Sequence, residues 1–431
     1  MPLLPHHRLL TGHKARHPEY INVSLISIFF NRPARPDLMA PAGEALLLSS
    51  DSRFTIHHSP SVPMLPFADL YIHLPFCPQK CDYCAFYSLA KSDSALRSRF
   101  LGRLAGEMRE KGLACGPLET IYLGGGTPTF FPGPELQRLM TLIHDSVQLA
   151  SGHEFTIEGN PSTLTREKIR LLLDSGVTRF SIGVQSFSRA IRDRIGRGGE
   201  IRNIYRAVEN LRACGVRNYN CDLIYGVPGQ TMREWAADLE KVVELEPVHV
   251  STYSLMVEPG TPLARRGVLE RDDEESVEMW QFAGDFLAAR CGLRRYEISN
   301  YAVPGFECRH NCRIWMGGRF MGAGPAACYF DGVTRWMNPP DLSRWFRAEA
   351  PAADHLEAER RAIEILITGL RTVRGWTRRA FRRMTGFDYL ELRRPQIRSL
   401  VEYGLLADDR HRLRLTEKGL LLANTVGVEL L

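Results

Sequence analysis

Cys77, Cys81 and Cys84 lie in one short run, YIHLPFCPQKCDYCAFYS, at the spacing C-x3-C-x2-C. Three thiolates in such a loop can hold three irons of a cubic [4Fe-4S] cluster, which leaves the fourth iron without a protein ligand and open to chemistry. A cluster that only carries electrons takes four cysteines. The bland alternatives are a zinc knuckle or three core cysteines. Zinc ligands usually come as C-x2-C or C-x4-C with a second pair to complete a tetrahedron, and no second pair stands nearby. The apolar stretch from Leu70 to Leu74, just ahead of the loop, reads as a buried strand.

A second apolar strand, Thr120 to Leu123, runs straight into Gly-Gly-Gly-Thr-Pro at 124–128. Glycines there let the backbone approach a ligand closely, so Gly125, Gly126 and Thr127 are candidates to bond something polar. Further polar residues fall at or just after the ends of later strands. Glu158 stands in EFTIEGNP, Gln185 in SIGVQSF, Arg197 in IGRGG and Asp222 in CDLIYGVPGQ. Carboxylates can accept hydrogen bonds from ribose hydroxyls, and an arginine can pair with a carboxylate. Each residue alone serves equally well as a structural polar group; their repeated placement makes them a set.

The elements that must hold this set alternate. Strand-like runs at 70–74, 120–123, 154–158, 179–183, 218–223 and 249–255 are separated by helical-period segments at 94–112, 133–148, 165–175, 201–214 and 231–245. Strands spaced by helices of this length predict βαβ units and a parallel sheet, with right-handed crossovers curling it. Six units predict an α/β fold, an incomplete parallel (β/α)6 barrel over residues 64–300, with its motifs at the C-terminal strand ends where βα loops carry function.

Together these residues resemble the radical S-adenosylmethionine (SAM) superfamily, from about Leu70 to the C-terminus. The resemblance implies that the open iron binds the amino and carboxylate groups of SAM. It also implies that the GGGTP segment meets the methionine end, and that Glu158, Gln185, Arg197 and Asp222 contact the cofactor. Tyr71 and Tyr83 are assigned beside them, through a phenol near the cluster and a ring near adenine. The resemblance narrows to the branch that holds the oxygen-independent coproporphyrinogen III oxidases (dehydrogenases) and the HemW heme chaperones. The oxidases carry a fourth cysteine where Phe86 stands, whereas CDYCAFYS, YEISNYA at 296–302 and ECRHN at 307–311 are similar to HemW. HemW-like chains read H-N-x-x-Y-W where this one reads His310-Asn311-Cys312-Arg313-Ile314-Trp315, and GAGPAACYF at 322–330 departs from their Gly-Ala-His-Ser-Tyr.

The implied function is a heme chaperone that binds the cluster, SAM and heme. It would pass heme to respiratory heme proteins at the membrane surface, with no catalytic residue assigned. The rival is the radical oxidative decarboxylation of coproporphyrinogen III, against which Phe86 counts. Radical chemistry on an unrelated substrate is a third, weaker fit. For heme iron, His310 with Cys308 and Cys312 offers imidazole or thiolate; the same histidine can equally cap a loop. Cys328 is a further candidate, or simply a small buried hydrophobe.

Composition sets the outer bounds. The chain has 431 residues, 44% hydrophobic and 24% charged, enough for one large core and a smaller domain. Ten cysteines at this length do not make a secreted disulfide scaffold, and an open cluster implies a reducing, cytoplasmic setting. No apolar run approaches the ~20 residues that cross a bilayer. Residues 1–63 do not match the rest: they form either a disordered extension or an over-long start, with Met64 the preferred initiator over Met1 because relatives begin near it. The histidines at 6, 7, 13 and 17 belong to that stretch and read as a solvated tail. Residues 301–355 read as a connecting region with the H-N-x-x-x-W segment, and 356–431 as a mainly helical, winged-helix-like domain. There Arg378, Arg379, Arg382 and Arg383 share one side of a helix. Residues 331–431 carry 18 Lys+Arg against 14 Asp+Glu, so nucleic acid is not expected.

Overall fold

The computed structural model describes residues 66–112, 115–271 and 273–431; the expected extension, its histidines and Met64 lie outside the described residues. Six strands form the centre: β1 (Phe67–Leu74), β2 (Cys115–Gly125), β3 (Leu149–Gly159), β4 (Arg179–Gln185), β5 (Tyr219–Tyr225) and β6 (His249–Ser254). They pair in that order and all in parallel. Between them run α1 (Ser94–Gly112), α2 (Gly133–Ser146), α3 (Arg166–Asp174), α4 (Arg189–Arg194), α5 (Arg202–Ala213) and α6 (Met232–Glu244).

The strand period of two divides the side chains. Leu70, Ile72 and Leu74 of β1, Ile121 and Leu123 of β2, and Phe155 and Ile157 of β3 are fully buried. On the opposite pleat stand Asp69, Tyr71 and His73, then Thr120 and Tyr122, then Glu154, Thr156 and Glu158. A parallel sheet covered by helices on one side thus keeps a polar lumen on the other. Some of the helices start on side-chain caps: Thr165 accepts from Lys168 N, and Thr231 with Glu234 forms a reciprocal capping box. Each such cap contributes about 1 kcal/mol.

The sheet is larger than six strands. Beyond α7 (Asp273–Cys291), β8 (Asn300–Ala302) adds antiparallel to β6 and β7 (Arg294–Arg295) antiparallel to β8, and after α8 (Arg309–Trp315), β9 (Met321–Ala323) pairs parallel with β1. The nine strands run in the order β9-β1-β2-β3-β4-β5-β6-β8-β7, with no pairing between the two ends among the described residues. The stretch that reads in sequence as a connector therefore supplies one edge of the barrel and, through α8, a plug for its base.

The C-terminal region starts with α9 (Ala358–Leu370), buried on most of its circumference. α10 (Arg378–Thr385) and α11 (Tyr389–Glu402) follow, together with a small antiparallel sheet of Trp376–Thr377, Arg412–Leu415 and Leu406–Asp408, the expected hairpin. Pro395 and the non-helical Arg393 (φ −141°) kink α11. Trp376, Phe381 and Tyr389 stack edge to face, and one apolar core runs from the barrel into this region. Of the four arginines on α10, Arg378 and Arg382 both bind the buried Asp388, at 2.5 and 2.6 Å, which neutralises part of that basic face.

Candidate functional site

The cysteine loop begins where β1 ends. Phe76–Cys77 pairs with Leu89–Ala90, closing the chain between them into a loop. Other elements clamp it. Asp82 N donates to Ile195 O (3.1 Å), Leu263 N donates to Asp82 O (3.0 Å), and Arg266 pairs with the Asp82 carboxylate at 2.5 Å. Cys84 N closes a turn onto Cys81 O. Cys81 is buried, Cys77 and Cys84 half-buried. Burial raises the Cys77 thiol pKa and pushes that of Cys84 up to about 11. Two donors already aim at sulfur: Thr127 Oγ1 at Cys77 Sγ and Arg197 Nη1 at Cys81 Sγ, each 3.5 Å away.

The glycine segment docks on this loop through its backbone. Gly126 N donates to Leu74 O and Thr127 N to Phe76 O, at 2.9 and 2.8 Å. A Cβ on Gly126 would lie 2.6 Å from Leu74 O, so only glycine permits this approach. Gly125 (φ 97°) lies flat against the His73 ring, where a Cβ would come within 2.4 Å. Its N–H donates to Glu158 Oε2 at 3.2 Å, and Tyr122 donates its hydroxyl to Oε1 at 2.9 Å. Burial, with the Asp222 charge nearby, raises the Glu158 pKa to about 7. Asp222 accepts from Ser181 Oγ (3.1 Å) and Asn220 Nδ2 (2.7 Å), and burial raises it too.

Gln185 has φ 70° at a register shift between β4 and β5. A non-glycine residue in the left-handed region at a bulge re-aims its side chain at some backbone cost. Arg197 donates to Gly183 O at 2.5 Å besides the Cys81 sulfur, and its Nε is buried without a partner. Tyr83 packs on the apolar group of Ile191, Ile195, Ile224 and Val227, and its phenol faces Cys81. Tyr71 bonds His73 Nδ1 at 3.0 Å, inside the lumen beside Tyr122.

His310, Cys308 and Cys312 are not at this end. His310 Nδ1 lies 2.6 Å from Thr120 Oγ1, and His310 N and Arg309 N donate to Glu154, at 3.0 and 2.9 Å. Cys308 points its thiol at the same carboxylate. Arg313 and Thr120 both bind Asp69. Thr120 precedes Gly125 by five residues of strand, about 17 Å, so α8 closes the N-terminal end of the barrel while the cysteine loop opens the other. His310 and Cys308 are 2% and 1% exposed; burial lowers the histidine to about 3 and raises the cysteine to about 12. Cys312 is half-buried on the same helix. Cys328 lies apart from them, past β9, within electrostatic reach of Tyr71. Next to α8 an apolar cleft lined by Ile314, Trp315, Phe320, Phe330 and Ile365 holds about 60 Å³. That is room for a few waters rather than a macrocycle.

Three residues that matter here escaped the sequence reasoning: Tyr122, His73 and Arg192. His73 accepts from Tyr71 and donates Nε2–H to Tyr87 O at 2.8 Å, and burial lowers it to about 4, so the ring is neutral. Buried Arg192 holds the chain on both sides of Arg197 through Val184 O and Gly198 O, both at 2.6 Å. The signal for the first two was the alternation of polar residues along β1 and β2.

The residues fit an iron-sulfur cluster with SAM. Among the described residues no His, Cys, Asp or Glu side chains converge as a single metal ion requires. Thiolates on three different irons need no common point. The sulfur-directed donors and the unpartnered Arg197 Nε suit anionic sulfur and a carboxylate beside it.

Comparison with known proteins places the chain in a family. The family model of the radical SAM superfamily matches residues 71–242, and that of the HemN C-terminal domain matches residues 356–422. The fold is thus that of the radical SAM class. The heme chaperone HemW of Lactococcus lactis subsp. lactis is 35% identical over 365 residues, which span 83% of this chain and 95% of that protein. The heme chaperone HemW of Escherichia coli is 32% identical over 372 residues, 84% of this chain and 97% of that one. The chain belongs to the HemW family. The solved structure of coproporphyrinogen III oxidase (HemN) from Escherichia coli shares its fold, with a TM-score of 0.75 at 22% identity over 85% of this chain and 90% of the other.

Proposed function

We propose that this chain is a heme chaperone of the HemW kind, carrying a [4Fe-4S] cluster on Cys77, Cys81 and Cys84, SAM across the strand ends, and heme for delivery. The observation that carries the reading is the loop itself. It presents three thiols, two of them met by donors from Thr127 and Arg197, and offers exposed Phe86 where the oxidase branch has a fourth cysteine. A cluster with one open iron supplies, when bound, a site for the SAM amino and carboxylate groups and a source of single electrons.

The chain's own residues do the rest. Gly125 N and Tyr122 orient Glu158 toward ribose hydroxyls, and Asp222 shares that side of the lumen. Arg197, already bonded to the Cys81 sulfur, would pair with the SAM carboxylate, and Gln185, on its bulge, would help hold the cofactor. Tyr83 would stand beside the adenine. His310 and Cys308 are already committed to closing the barrel base, so the reading does not route heme iron through them. Delivery is assigned to respiratory heme proteins at the membrane surface, from the cytoplasm; among the described residues no helix is long and apolar enough to cross the bilayer.

The test is product formation from coproporphyrinogen III by anaerobically reconstituted protein, given SAM and a low-potential reductant, with hemin binding measured on the same sample. We expect no protoporphyrinogen and one hemin per chain. Protoporphyrinogen over many turnovers would make the protein an oxidase and overturn the reading.

A further inference from the structure

Phe86 is the one exposed phenylalanine or tryptophan among the described residues, with 64% of its surface open. A single exposed apolar residue is ordinary on a protein surface. This one is not ordinary in how its backbone is held. Two residues before it Cys84 N is bonded to Cys81 O. One residue after it, Tyr87 is fixed twice: its carbonyl accepts from His73 Nε2 at 2.8 Å, and its hydroxyl accepts from Leu342 N at 2.6 Å. The chain then enters the short strand at Leu89, whose N–H meets Pro75 O at 2.6 Å. A main chain pinned on both sides thus presents a ring that belongs to none of the core clusters. Folding gains nothing from burying it, and the loop does not let it move away.

A cation stands beside it. Lys80 Nζ lies 3.5 Å from Phe86 O, and Lys80 forms no ion pair among the described residues. A flat apolar face with an adjacent ammonium suits a planar ring system that carries carboxylates. A stable protein partner would bury about 800 Å² per side around several anchors, and one ring with one lysine is far smaller than that. The scale is that of a macrocycle edge.

We propose that Phe86 and Lys80 form the outer lip on which heme docks, the ring stacking offset on the porphyrin and the ammonium pairing with a propionate. The inference rests on the chaperone reading above and adds where heme sits: at the mouth of the cluster loop, held by its ring and carboxylates rather than by its iron. Phe86 then does more than fill the place of an absent cysteine. It distinguishes a surface that holds a tetrapyrrole from a loop that offers a fourth thiol.

The experiment is a fluorescence-quenching titration of reconstituted protein with hemin and, separately, with metal-free protoporphyrin IX. Wild type is compared with Phe86→Ala, Phe86→Trp, Lys80→Glu and Lys80→Arg, with iron and sulfide measured in each. Because Phe86 and Lys80 are exposed, the variants should fold and keep their cluster. Phe86→Ala should weaken both ligands about tenfold, the loss expected of one stacked ring; Phe86→Trp should retain binding. Lys80→Glu should weaken both, and Lys80→Arg should bind as wild type. Hemin and protoporphyrin binding unchanged in Phe86→Ala would overturn the inference. Wild type that binds hemin but not protoporphyrin would also overturn it, because iron ligation would then carry the affinity. Wild type that binds no hemin at all would instead overturn the chaperone reading itself.

Discussion

The two ends of the barrel are built from similar residue types and do opposite things with them. At the base, Glu154, Asp69, Thr120 and His310 spend their hydrogen-bonding capacity on one another and on the backbone of α8. At the mouth, the backbone is equally well tied down, but side-chain valences are left over: three thiols, an unpartnered Arg197 Nε, and a buried Glu158 carboxyl that forms no ion pair among the described residues. A cysteine or histidine in a motif is therefore not a ligand by virtue of its type. What separates the ends is whether folding has already used the group.

The sharpest way to break this contrast is to delete one residue from each end. Cys77→Ala, Cys81→Ala or Cys84→Ala should each drop iron from about four per chain to below one, read by iron and sulfide assay and by cluster absorbance. His310→Ala should keep the iron. A cluster that survives a cysteine change, or is lost with His310, would reverse the assignment of the two ends.

Next in size is Glu154→Ala. It strips the acceptor from Arg309 N and His310 N and should lower stability by about 2–4 kcal/mol, the cost of leaving buried donors unpaired, in urea unfolding. SAM affinity should not change, because the base supports the site without touching it.

The subtlest test uses acidity. Glu158 holds its proton in the folded chain up to about pH 7, against a reference of 4.5. Between those values the folded state carries a proton the unfolded state has lost. Its contribution is therefore fully present below pH 4.5 and is lost as pH rises through 7. Glu158→Gln should remove this component, so the variant should gain on wild type as pH goes from 5 to 8 in denaturant titrations. SAM binding should go the other way in wild type, tightening as the carboxylate ionises to accept ribose hydroxyls, and should weaken about tenfold in Glu158→Gln, the loss of a hydrogen-bonded charge.

Much of the fold was legible because the strand and helix periods are clean. β1 to β6 and the helices between them fall close to where the pattern puts them, and the resemblance locates the cysteine loop and the GGGTP segment. Met321–Ala323 was not legible: three residues, two of them small, have no strand pattern, and only pairing with β1 makes them a strand. Nor was the location of Cys308, His310 and Cys312. A histidine between cysteines reads as a ligand, while its commitment to Thr120 and Glu154 depends on contacts across more than 150 residues. The absence of a cysteine at Phe86 was plain in the sequence. Its outward ring was not, since exposure is set by how neighbouring elements pin the loop.

The pairing of Leu70 with Met321 bears on how the molecule is made. Roughly 250 residues must be synthesised after the first strand before its outer neighbour exists, ~12–50 s at ribosomal speeds of about 5–20 residues per second. During that interval the edge beside the cysteine loop has no partner, and the thiols stand on an unfinished wall. Iron-sulfur loading onto the completed barrel is thus an event of the released or nearly released chain, and a nascent chain stalled before residue 321 should be a poor acceptor of a cluster.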